Sequence, residues 1–171
     1  MKKNSTINRS IIADEPIVEL ILSNKFAKHG IEFKKNINKN NYLDHAIQYR
    51  VNGFVKDLVV KRNSSKYFKS SNFLFTIDKN KLNIFNNSSF VFIDEVQNSL
   101  YIVDGIELLK YILSHKDRVT VEDDSTVGFI LIPKKDIISI VSCNDNIINY
   151  GKQFADLFEI SRNEQKFSNL I

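Results

Sequence analysis

The 171-residue chain predicts an α/β domain of mixed α+β type, a central mixed sheet flanked by helices. Three observations carry that expectation. Helical periodicity stands at both ends of the chain, short apolar runs bounded by turn residues fill the middle, and the stretch from Asp44 to Lys61 reads as a β-hairpin of defined register. With no repeat, Pro-rich linker or boundary in composition, residues 1–171 make a single domain, with 1–13 and 161–171 expected to be flexible.

The first helix is expected over residues 14–29. Asp14 suits its N-cap, Pro16 its first turn, and Gly30 ends it after Lys25, Lys28 and His29. Val18, Ile21, Leu22 and Phe26 form the apolar stripe. Glu19 is three residues before Leu22 and seven before Phe26, so its carboxylate sits at the edge of the buried face.

A short strand at 31–33 and a Lys/Asn-rich loop lead into the hairpin. Asn52-Gly53 supplies the two φ > 0 positions of a type I′ turn, setting Val51 against Phe54. Counting outward pairs Tyr49 with Lys56, Ile47 with Leu58 and His45 with Val60 on one face. The other face pairs Gln48 with Asp57, Ala46 with Val59 and Asp44 with Lys61. That last pair is a cross-strand ion pair worth a few tenths of a kcal/mol, roughly, if exposed.

Beyond the hairpin, a basic loop holding Lys66, Tyr67 and Lys69 precedes a strand at 73–77, and strands follow at 90–94 and 100–103. Asp104 is expected to cap a helix over 106–114, with Glu107 completing a capping box. The acidic stretch 121–126 lacks the spacing of a calcium loop and reads as a solvated connection to a strand at 128–132. Pro133 opens a short helix or turn. Residues 146–160 carry helical periodicity through Ile147, Tyr150, Phe154, Leu157 and Phe158.

Hydrophobic residues make up 43% of the chain and charged residues 26%, the balance of a soluble globular protein. No membrane span is apparent, and the basic start lacks the apolar stretch of a signal peptide, so a cytoplasmic location is expected. The lone Cys143 excludes an internal disulfide and a cysteine-rich zinc site. Five glycines, none in a P-loop or dinucleotide motif, leave little material for a phosphate-cradling loop.

Charge is unevenly placed. Residues 1–81 hold 16 Lys+Arg against 7 Asp+Glu, whereas 82–171 hold 8 against 13. The basic half contains the hairpin and would attract DNA or RNA if its charges converge in space.

An acid at the edge of an early helix, a carboxylate on the first arm of a hairpin and a lysine on the second resemble the PD-(D/E)XK, or restriction-endonuclease-like, nuclease superfamily. The resemblance covers roughly residues 14–140. It implies a nuclease core in which Glu19 and Asp44 bind magnesium or manganese and Lys61 positions water, for phosphodiester hydrolysis. With the basic loop and its aromatics, the leading reading is a nucleic-acid-directed protein whose backbone contacts come from Lys56, Arg62, Lys66, Tyr67 and Lys69.

One ligand departs from the family's pattern. The acid position of the triplet, two before Lys61, is Val59, and its cross-strand partner is Ala46. Asp57 shares that face, but its partner Gln48 is four residues from Asp44, roughly 13 Å along the strand. Carboxylates sharing one ion must each approach it to about 2.1 Å. The alternative reading is an inactive nuclease-like scaffold that binds a protein partner or a second copy, such as a phage or plasmid inhibitor or an assembly subunit.

Overall fold

The computed structural model describes residues 2–26, 32–35, 46–51, 54–63, 71–121 and 125–170, with side chains described over 14–26, 57–63, 71–121 and 125–163. Among these residues the fold is mixed α/β in two sheets. Helix α1 (Lys2–Phe26) is followed by β1 (Glu32–Lys35), β2 (Ala46–Val51), β3 (Phe54–Arg62) and β4 (Asn72–Asp78). A 3₁₀ turn and the short α2 (Ile84–Asn87) lead to β5 (Ser88–Asp94), β6 (Ser99–Asp104) and α3 (Gly105–Ser114). The chain continues through β7 (Thr120–Val121), β8 (Val127–Pro133), α4 (Lys134–Ile140), β9 (Ile147–Asn149) and α5 (Lys152–Leu170).

The hairpin register is the one its turn dictates: Val51 faces Phe54, Gln48 faces Asp57 and Ala46 faces Val59. β1 adds antiparallel to β2, and β5 lies parallel to β3 with Lys61 beside Phe92. A parallel neighbour requires a crossover, which β4, the 3₁₀ turn and α2 supply. The central sheet therefore runs β1-β2-β3-β5-β6-β9, and β4-β8-β7 form a second sheet.

Alternation along the strands sorts the core into two layers. Val59, Phe90, Phe92, Tyr101 and Val103 meet Phe73, Phe75, Ile130 and Ile132 of the second sheet. Leu58, Val60, Val91, Ile93 and Leu100 meet Ile17, Val18, Ile21 and Leu22 of α1 and Phe158 of α5. β5 is buried on both faces, which explains its unbroken apolar run. Phe73, Phe75, Phe85, Phe90 and Phe92 pack in tilted and edge-on pairs with centroids 5.0–6.1 Å apart, each worth about 0.5–1.5 kcal/mol beyond burial.

Three expected elements differ. α1 starts at Lys2, so Pro16 lies inside the helix and Asp14 is buried within it rather than capping it. Packing of Ile17, Val18, Ile21 and Leu22 on the sheet outweighs the backbone bond that the proline forgoes. The helix expected over 146–160 begins only after Gly151. The β-branched pair Ile147-Ile148 instead adds to β6, with Leu100 opposite Ile148. At the start of the segment expected to be flexible, Ser161 and Arg162 are buried. Asp104 occupies the N-cap position of α3 without a capping bond, and Glu107 reaches Lys110 at 3.3 Å instead of completing a box.

Candidate functional site

Two neighbouring cations end β3, and strand alternation sends them to opposite layers. Lys61 shares its face with Val59 and lies between the sheets, its Nζ 4.9 Å from the centroid of the Phe75 ring. Among the described residues no carboxylate forms an ion pair with it. Burial holds the ammonium below its ordinary pKa of 10.5. Lys61 borders a cleft of about 130 Å³ with Phe75, Thr76, Ile77, Asp78 and Lys81, and Phe85 and Phe90 add aromatic wall.

Arg62 turns the other way, into the layer of α1 and α5. Its guanidinium pairs with Asp14, donates to Glu95 Oε1 at 2.8 Å and to the Phe158 carbonyl at 2.6 Å, and lies over the Phe158 ring. The expected contact with a nucleic-acid backbone is corrected here: the Arg62 side chain is only 7% exposed and both of its terminal nitrogens are bonded within the fold. Arg162 completes the network through Glu95, with a further bond to the Asn63 carbonyl at 3.3 Å. Burial pushes the Asp14 carboxyl up despite Arg62, and brings Arg162 down to about 10, with Arg62 adding to the effect. These side chains tie α1, β3, the β5–β6 turn and α5 together.

A second buried acid holds the same turn. Asp94 accepts from Lys134 Nζ at 2.8 Å, Tyr101 Oη at 2.7 Å, and the backbone N–H groups of Val96 and Gln97. Burial acts to raise its pKa, but these donors outweigh it and hold the carboxyl below its ordinary value. The Tyr101 hydroxyl is driven up by burial and by that carboxylate.

Of the residues expected to form the site, Lys61 is placed as above. Glu19 is half-buried on α1, which covers the Arg62 face, so Lys61 and the helix bearing Glu19 lie against opposite faces of the central sheet. Asp44, Lys66, Tyr67 and Lys69 lie outside the described residues, as do His29 and His45. Lys56 stands opposite Tyr49 in the ladder, its side chain outside those described. Val59 is buried opposite Ala46, and Asp57 stands opposite Gln48, as the register required. His115 engages the Tyr111 carbonyl at 2.7 Å and stacks on that ring.

No group of three or more His, Cys, Asp or Glu among the described residues could hold a metal ion. With an apolar Val59 at the triplet's acid position and Glu19 across the sheet from Lys61, the described donors do not fit a magnesium centre. The sequence reading missed Asp14, Glu95 and Arg162, and the paired acids Asp94-Glu95 closing an apolar strand were the signal available.

No family model matches the chain, and no curated protein matches it. Among solved structures, the chain is similar to a nuclease from a fusselovirus, with 11% sequence identity and a TM-score of 0.43 over 95% of this chain and 94% of that one.

Proposed function

We propose that the chain is a nucleic-acid-directed protein of the PD-(D/E)XK, nuclease-like kind, with its site at the Lys61 end of the hairpin. The observation that carries the reading is Lys61 itself. A lysine held against Phe75, without an acid partner among the described residues and bordering a cleft, is costly to the fold and suited to an external anion such as a backbone phosphate. The basic first half supports the same ligand, with Lys66, Tyr67 and Lys69 as further backbone contacts; Lys56 shares the face of Leu58 and Val60, away from Lys61.

A second reading is favoured by Val59 buried opposite Ala46: a nuclease-like scaffold that binds without cutting, or whose partner is a protein. Labelled DNA and RNA incubated with Mg²⁺ or Mn²⁺ separate the two. Cleavage by the wild type, lost in Asp44→Ala and in Lys61→Ala, supports the enzyme. Equal background in all three with retained binding supports the scaffold, and absence of binding by the wild type sinks the nucleic-acid reading.

A further inference from the structure

We infer that the outer edge of β4, with Lys61 and Lys81, seats successive phosphates of one nucleic-acid strand; the identity of the strand rests on the function proposed above. The hydrogen bonds fix which way β4 presents its backbone. Lys79 N–H donates to the Thr126 carbonyl and Lys134 N–H to the Ser71 carbonyl, both at 2.9 Å, just beyond the two ends of the β4–β8 ladder. Odd-numbered positions therefore direct their backbone groups at β8, and even-numbered ones point away from it.

Asn63 follows that parity. Its carboxamide donates to the Asn72 carbonyl at 2.8 Å and accepts from Leu74 N–H at 3.1 Å, closing the first part of the edge as a short strand would. Thr76 and Asp78 come next. β4 is the terminal strand of its sheet, and no described residue accepts from their N–H groups. Both residues line the cleft that Lys61 and Lys81 share.

Two outward N–H groups two residues apart are separated by roughly 6.6 Å. Each therefore serves a different phosphate rather than both holding one. The Asp78 carboxylate does not oppose this, since its Oδ1 accepts from Asn80 N–H at 2.9 Å and its Oδ2 lies 3.9 Å from Lys81. Among the described residues that line the cleft, two lysines stand against that one acid.

The test reads backbone amide shifts of Thr76 and Asp78 on adding a labelled oligothymidylate and, separately, inorganic phosphate, alongside affinity for the oligonucleotide. Both amides should move with either probe. Thr76→Pro, which removes one donor at an outward edge position where proline is tolerated, should weaken oligonucleotide binding about tenfold, whereas Thr76→Ala stays within about twofold. Lys81→Gln should reduce the salt slope by about one.

Oligonucleotide binding with both amides unmoved and Thr76→Pro unaffected overturns the seat while leaving the proposed function standing. Amides that move with inorganic phosphate in a protein that binds no oligonucleotide keep the seat as a phosphate site and overturn the nucleic-acid reading. Amides that move with neither probe overturn the seat.

Discussion

Lys61 and Arg62 are adjacent cations of the same charge in opposite energetic positions. Arg62 is surrounded by acids drawn from 48 and 33 residues away, whereas Lys61 meets an aromatic ring. Replacing Lys61 by Met keeps the volume and removes a desolvated charge, so it should stabilise the fold by on the order of 1 kcal/mol, raising Tm by about 2–4 °C. The pH dependence follows from the lowered lysine pKa. Between that value and 10.5 the unfolded chain binds more protons than the folded one, so wild-type stability rises with pH and the Met variant's advantage shrinks toward pH 10.5. Thermal melts of both proteins across that range check it.

Asp94 behaves in the opposite sense. Asp94→Asn leaves the half-buried Lys134 without its acid at a buried position and should cost about 3 kcal/mol near neutral pH. Because the folded carboxyl titrates below 3.8, its contribution is present above that value and lost as pH falls through the folded pKa. Urea melts should show the gap between wild type and variant closing only in strong acid. Alternation made it legible from sequence that residues 61 and 62 face opposite ways, but not which of them meets acids, because those acids are brought in by tertiary packing.

At the scale of elements, the hairpin was the most legible part. A two-residue turn and a period of two leave one register, and the observed ladder from Ala46–Val59 to Val51–Phe54 follows it. The C-terminal strand was obscured because Ile147, Tyr150, Phe154 and Phe158 satisfy helical spacing while their first members complete the edge of β6. Glu19 illustrates a different limit: periodicity placed it at the edge of a buried face without saying which side of the sheet that face would cover. Gly105 marks where α3 docks on the preceding segment. A β-carbon there would overlap the carbonyl oxygens of Phe85 and Ser88, so Gly105→Ala should destabilise by about 2–3 kcal/mol in denaturant melts. An alanine at the same place in a free helix would instead be favourable.

Across the whole molecule, the central sheet separates two kinds of charge. On the α1 and α5 side, Asp14, Arg62, Glu95 and Arg162 neutralise one another and tie both chain ends to the sheet. On the side of the second sheet, Lys61 borders a cleft whose other charged members among the described residues are Lys81 and Asp78. Among the described residues no helix is long and apolar enough to cross a membrane. If nucleic acid is the ligand, affinity should fall steeply with salt, because each neutralised phosphate releases counterions.

The most direct measurement pairs stability with binding in Lys61→Met: thermal melts and salt-dependent affinity for a single-stranded DNA, beside the wild type. The account predicts a variant that melts higher yet binds about tenfold more weakly. A variant that binds as the wild type does, or a wild type whose affinity for DNA is absent at low salt, would contradict it.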